Sequence, residues 1–149
     1  KLGDRDNESY ALSTRGRVHL RREEWASAKD AFSRGIDRAN EAGASWNTPF
    51  MLGGLGLAEA NLGDVDAAKR HVKEAKRSVD PSDWLTNGHL EIAEGKIALA
   101  TRREKGVSRK ILQNQSAKRH FGNAAKIFET AGDVESAKRA RQLRANVSG

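Results

Sequence analysis

The chain has no cysteine, two prolines, 5% aromatic residues and no long hydrophobic run. Without cysteine it can form neither a disulfide bond nor a thiolate metal site, which favours a cytoplasmic location. No apolar segment approaches the roughly 18 residues that a membrane helix needs. Runs of Val, Ile and Thr are also scarce, whereas the residues that dominate are Ala, Arg, Lys, Glu and Leu. Because these are strong helix formers, the composition predicts an all-α protein.

Motifs that would indicate an enzyme are missing as well. There is no H-E-x-x-H, no phosphate loop with G-K-[ST], and no serine in a nucleophile-elbow context. His89 lies near Glu91 and Glu94 in "HLEIAE", but without a second nearby histidine this pattern is typical of an ordinary helix surface. We therefore expect no enzymatic activity, no cofactor and no metal site. The chain begins at Lys1 without a methionine or a signal-like segment, so we expect a piece of a longer cytoplasmic protein.

The positive charge is concentrated in one stretch. The net charge is +7, and residues 101–120 contain seven basic residues against the single acidic Glu104. These seven are Arg102, Arg103, Lys105, Arg109, Lys110, Lys118 and Arg119. Such a stretch is either a solvated loop or a docking surface for an acidic protein or for nucleic-acid phosphates. Because the basic stretch contains no aromatic residue before Phe121, base stacking is not indicated, and any nucleic-acid binding would be independent of sequence.

The first eighty residues contain an internal repeat. Residues 10–40 align without gaps with residues 50–80, so that Gly16 corresponds to Gly56 and Ala28 to Ala68. Each unit has the apolar periodicity of two helices. In each unit the small glycine and alanine side chains at these positions would let the two helices approach closely. Self-similarity at a fixed period of 40 residues predicts a repeat architecture.

A second repetition concerns one short phrase. "LGDVDAAKR" (62–70) recurs as "AGDVESAKR" (131–139) with six of nine positions identical. Glycine commonly ends a helix, aspartate caps the next one, and valine and alanine begin its buried face. The phrase therefore predicts the same helix-to-helix turn at both places.

These positions resemble the tetratricopeptide repeat, in which a bulky residue, a small residue and a Gly-Asp turn precede an alanine-rich second helix. The positions that match are Leu12, Gly16, Trp25, Ala28, Phe32 and Gly35, then Leu52, Gly56, Gly63, Asp64, Val65, Ala68, Val72 and Ala75. The 40-residue units exceed the usual 34 and are similar to those in helical-repeat regions of bacterial signal-transducing ATPases and transcription regulators. The resemblance implies one all-α domain over 1–149, a right-handed solenoid of about seven antiparallel-paired helices.

The units are expected at about 6–43, 45–80 and 82–131, the last capped by Ser82 or Asp83, followed by a capping helix at 133–146. In the third unit the second helix is expected to start near Ser116, which leaves a basic insertion near 103–115. An alternative register pairs residues 116–131 with 133–146 as a hairpin.

The resemblance also implies a function. Proteins of this kind bind peptides or helices in a concave groove lined by the first helix of each pair. Transferred to this chain, the partner-binding positions are Ser13, Arg17, Arg21, Leu57 and Asn61. We therefore expect a scaffold or sensor module whose partner is a protein, a peptide or a neighbouring domain of the same parent chain. The alternative is a nucleic-acid-associated helical repeat that uses the basic stretch 102–119.

Overall fold

The computed structural model describes residues 2–101 and 107–148, which form seven α-helices and no strand. The helices are α1 (Leu2–Arg21), α2 (Trp25–Ala42), α3 (Thr48–Leu62), α4 (Val65–Ser78), α5 (Trp84–Thr101), α6 (Val107–Thr130) and α7 (Val134–Ala145). The expectation of an all-α chain is therefore confirmed for the described residues. None of their helices is both long enough and apolar enough to span a membrane.

The repeated phrase forms the same turn in both places. Gly63 and Gly132 adopt φ of 87° and 80°, a left-handed conformation that residues with a Cβ seldom adopt. Asp64 Oδ1 then accepts a hydrogen bond from the Ala67 amide (3.3 Å), and Asp133 Oδ1 accepts one from the Ser136 amide (3.0 Å). Each aspartate thus satisfies one of the free amides at the start of α4 or α7.

The start of α5 uses the same chemistry. Asp83 accepts hydrogen bonds from both the backbone amide (3.0 Å) and the hydroxyl of Thr86. Of the two caps that the sequence left open, Asp83 is therefore the one that contacts the first turn. Ser82 instead bonds Asp80, through its amide (2.8 Å) and its hydroxyl (2.6 Å).

Consecutive helices pack in pairs, α1 with α2, α3 with α4, and α5 with α6, and α3 also contacts α1, α2 and α5. Glycines bring the paired helices together. A Cβ on Gly16 would lie 2.6 Å from the ring of Phe32, and one on Gly56 would lie 2.8 Å from Val72. In the third pair, a Cβ on Gly95 would lie 2.4 Å from Phe121. Each pair is thus joined by a glycine on the first helix that faces a bulky side chain on the second.

The centre of the chain is α3. Residues 51–60 of this helix are buried on every side, because α3 is surrounded by helices rather than exposed along one face. Its side chains join Phe32 and Leu90 in the main hydrophobic core. A second cluster, formed by Ala124, Ala125, Phe128, Ala137 and Ala140, joins α6 to α7.

The third pair differs from the sequence prediction. Helix α6 begins at Val107 rather than near Ser116, so residues 107–115 of the expected insertion are helical. The sequence has no regular apolar pattern in that first part of α6, so its periodicity indicated only the later turns. Residues 102–106 lie outside the described residues. Helix α6 packs against both α5 and α7, so the two pairings that the sequence left open both occur.

Candidate binding groove

Residues of six helices line a cavity of about 510 Å³. The first helices of the three pairs, α1, α3 and α5, supply about half of its wall, α7 supplies most of the rest, and α2 and α6 add one residue each, Trp25 and Phe128. Arg139 of α7 closes one edge, because its Nη1 donates a hydrogen bond to the backbone carbonyl of Arg21 at the end of α1 (3.1 Å). The groove is therefore shaped by both ends of the chain.

The wall formed by α5 and α6 is aromatic. Trp84 packs edge-on against Phe128, with the ring centroids 6.3 Å apart, and Phe128 in turn contacts His89. Trp84 is 40% exposed, so much of its indole faces solvent. Leu20, Leu57 and Ile92 also line the cavity and add aliphatic surface. An exposed indole beside apolar side chains is the arrangement found where protein interfaces bury aromatic anchors.

The rim is mainly cationic. Arg17, Arg21, Lys96 and Arg139 line the cavity, whereas the only carboxylates among its lining residues are those of Glu23 and Asp133. Four basic groups against two acidic groups favour an acidic ligand.

Two of the charged groups, Lys96 and Asp133, have shifted pKa values. Burial lowers the pKa of Lys96, and the nearby charge of Glu23 opposes this effect only in part. Burial alone would raise the pKa of Asp133, but hydrogen bonds from the amide and hydroxyl of Ser136, with the charge of Arg21, hold it below its usual value. Asp133 is therefore ionised at neutral pH, and the cap of α7 also forms part of the groove.

His89 contributes a neutral polar group. Burial lowers the pKa of His89 to about 4, and Arg17 and Arg21 reinforce the effect while Asp83 and Asp133 oppose it. Its Nδ1 is buried and has no hydrogen-bond partner among the described residues. The imidazole is therefore uncharged at pH 7 and packs between the rings of Phe50 and Phe128.

Four of the five predicted groove residues line the cavity, namely Arg17, Arg21, Leu57 and Asn61. Ser13 does not. It is 3% exposed, and its hydroxyl accepts a hydrogen bond from Asn47 Nδ2 (2.7 Å), so that it joins α1 to the turn before α3. Ser13 is therefore part of the packing between α1 and α3 and not of the cavity wall.

The half of the groove that α5 and α7 supply was not predicted from the sequence. Its residues all follow the two segments, 10–40 and 50–80, that align with each other, namely Trp84, His89, Lys96 and Arg139. A signal was present in the glycines of α5. Aligning Gly95 with Gly16 and Gly56 places α5, the first helix of the third pair, in register with α1 and α3.

The predicted basic surface is only partly described. Lys110 and Arg119 are exposed and Lys118 is half-buried on α6, whereas Arg102, Arg103 and Lys105, and the side chain of Arg109, lie outside the described residues. A continuous basic stripe onto α7 would favour nucleic-acid binding. Two α7 arginines are engaged elsewhere, since Arg139 bonds the carbonyl of Arg21 and Arg141 pairs with Glu129 (2.6 Å).

Comparison of the chain with protein-family models, with curated proteins and with solved structures found no match. The residues that line the groove are therefore the basis for a functional assignment.

Proposed function

We propose that the chain is a tetratricopeptide-like solenoid that acts as a protein–protein interaction module, a scaffold or sensor within a larger regulatory protein. The 40-residue repeat, the recurrent glycine contacts within each helix pair and the position of the groove on α1, α3 and α5 support this proposal. The repeat of one turn phrase before α4 and α7 supports it as well.

The groove is suited to a short amphipathic segment with acidic residues. The single observation that carries this assignment is the combination of an exposed indole, Trp84, with Arg17 and Arg21 on the same cavity. The apolar face of such a segment would cover Trp84 and Leu57, while its carboxylates would pair with the two arginines. A cavity of about 510 Å³ accommodates a few side chains, so the remaining contacts would lie along the rim.

The experiment is a selection from a random 12-residue peptide library displayed on phage, with the untagged chain as bait. Enriched peptides are synthesised, and their affinities are measured by fluorescence anisotropy. We expect the enriched peptides to contain acidic residues and an aromatic or aliphatic anchor. Trp84→Ala should weaken their binding by more than about tenfold, since central aromatic residues dominate interface energies.

A matched control is available at an exposed aromatic residue outside the groove. Trp46 is 64% exposed and contacts Tyr10 with ring centroids 6.0 Å apart. Trp46→Ala should leave the affinity of the selected peptides unchanged. Peptides that respond to Trp46→Ala and not to Trp84→Ala would place the binding surface elsewhere and refute the assignment to the groove.

A further inference from the structure

Two carboxylates and an imidazole converge between α5 and α6, outside the groove. Glu91 and Glu94 are three residues apart on α5 and so lie on one face of that helix, and His120 faces them from α6. His120 Nδ1 is 2.7 Å from Glu91 Oε2 and 3.6 Å from Glu94 Oε2. Within residues 2–101 and 107–148, this is the one group in which three potential metal ligands lie within 4.8 Å of one another.

The pairing of Glu94 leaves one oxygen unused. Its Oε1 accepts a hydrogen bond from Lys76 Nζ (2.8 Å), whereas its Oε2 is buried and has no hydrogen-bond partner among the described residues. A buried carboxylate oxygen without a donor is costly, and nearly all such atoms in folded proteins have a partner. The atom nearest to satisfying it is His120 Nδ1, which already bonds Glu91.

Other histidine–glutamate pairs in the chain show what is unusual here. His71 Nδ1 lies 2.6 Å from Glu59 Oε2, and Lys29 Nζ lies 3.6 Å from the other oxygen of Glu59. Lys29 Nζ also pairs with Asp64 (3.6 Å), so the second carboxylate of this simple ion-pair cluster contacts the lysine. At the site on α5 and α6 both carboxylates instead lie within 3.6 Å of the histidine nitrogen.

The spacing suits a small tetrahedral ion. Zinc binds imidazole nitrogen and carboxylate oxygen at about 2.0–2.2 Å, which places tetrahedral ligand atoms about 3.4 Å apart. The separation of His120 Nδ1 from Glu94 Oε2 is 3.6 Å, close to that value, and the Glu91 oxygen would move away from Nδ1 by less than about 1 Å. The three side chains are 17–24% exposed, so an ion can reach them from solvent.

We propose that Glu91, Glu94 and His120 bind one divalent late-transition-metal ion, with Zn²⁺ as the best match. Imidazole disfavours Mg²⁺ and Ca²⁺, which prefer oxygen ligands alone. Three protein ligands leave a fourth position for water. Asn123 Nδ2, which donates to Glu91 Oε2 (3.3 Å), and Lys76 Nζ, which donates to Glu94 Oε1 (2.8 Å), would orient the two carboxylates. Joining α5 to α6, the ion would stabilise the third helix pair.

The test uses the untagged full chain and two metals. Co²⁺ reports tetrahedral coordination through its visible absorption band, and Zn²⁺ is added afterwards as a competitor. We expect a band that saturates at one Co²⁺ per chain and disappears when Zn²⁺ is added. His120→Ala and Glu94→Gln should each weaken binding by more than about tenfold. His71→Ala, which removes the matched histidine of the simple ion-pair cluster, should leave binding unchanged.

Circular dichroism of each variant shows whether the helices are retained. Glu94→Gln changes only the charge of a side chain, so it decides the outcome if His120→Ala does not fold. The proposal is overturned if no saturable band forms, if Glu94→Gln binds Co²⁺ as the parent chain does, or if His71→Ala loses binding to the same extent.

Discussion

The ring of Phe32 is held between two glycines, and this contact makes a sharp prediction about stability. Phe32 is fully buried, and a Cβ placed on Gly16 or on Gly54 would lie 2.6 Å or 2.5 Å from its ring carbons. Carbon atoms in contact are normally about 3.5–4.0 Å apart, so each methyl group would be about 1 Å too close. The ring cannot move away from one position without approaching the other.

The expected cost of Gly54→Ala follows from two opposing effects. Overpacking a well-packed core costs about 1–3 kcal/mol, while replacing glycine by alanine within a helix contributes about 1 kcal/mol of stability. Because the contact is far closer than an ordinary one and the ring is confined, we expect the upper part of that cost. The net loss should be about 1–2 kcal/mol. For a chain of this length, the melting temperature should fall by about 2–8 °C.

The assay is thermal unfolding followed by circular dichroism, with Gly3→Ala as control. Gly3 is also helical, but it is exposed, and a methyl group added there would have no described atom within 4 Å. Its substitution should therefore leave the melting temperature unchanged or raise it. In a Phe32→Leu background the outer ring atoms are gone, and Gly54→Ala should cost less than it does in the parent chain. An increase in melting temperature for Gly54→Ala in the parent chain would refute the packing argument.

Three further predictions concern a strained turn, a buried histidine and the basic stretch. Glu23 adopts φ of 58°, the left-handed conformation that Gly63 and Gly132 adopt in the equivalent turns. Because glycine adopts this conformation without strain, Glu23→Gly should raise the free energy of unfolding by about 0.5–1 kcal/mol, measured by chemical denaturation. A lower free energy of unfolding would contradict this. Folding lowers the pKa of His89 from about 6.5 to about 4, so between these pH values the unfolded chain is protonated at His89 and the folded chain is not. The free energy of unfolding should therefore fall as the pH drops from 6.5 towards 4. His89→Gln should reduce that fall, and an unchanged pH profile would show that the ring is not held neutral. Finally, we expect no saturable binding to a mixed-sequence DNA duplex near physiological salt; micromolar binding lost on reversing Arg109 and Lys110 would instead favour the nucleic-acid alternative.

Local features of the fold could be predicted from the sequence because short-range rules determine them. The Gly-Asp turns before α4 and α7 need only a left-handed residue and a capping carboxylate, and both are visible in a few consecutive letters. The end of α2 at Gly43, which adopts φ of 66°, follows the same rule.

The start of α6 could not be predicted in the same way. Ile111 and Leu112 in this part of the helix are exposed, so the apolar residues there do not follow a buried face. The helix exists over 107–115 because it continues the turns that pack Ala117 and Phe121 against α5 and the C-terminal segment. Tertiary packing, rather than local periodicity, thus determines its length.

The candidate sites required contacts between distant residues. Arg17 and Arg21 were predicted on the groove because the tetratricopeptide resemblance transfers its groove positions to them, and both line the cavity. Ser13, predicted beside them, does not line the cavity, because its hydroxyl accepts a hydrogen bond from Asn47, 34 residues away. The convergence of His120 with Glu91 and Glu94 depends on how α6 lies against α5, which no spacing within one helix reveals.

The central claim, that the groove binds an acidic amphipathic segment, is tested most directly by a charge swap. A selected acidic peptide and its copy with arginine in place of the acidic residues are each titrated against the parent chain and against Arg17→Glu/Arg21→Glu. Arg70→Glu/Arg77→Glu on the exposed surface of α4 carries the same charge change and serves as control. We predict that reversing either partner weakens binding by more than about tenfold and that reversing both restores much of it. Equal affinity of the acidic peptide for both double variants would contradict the account.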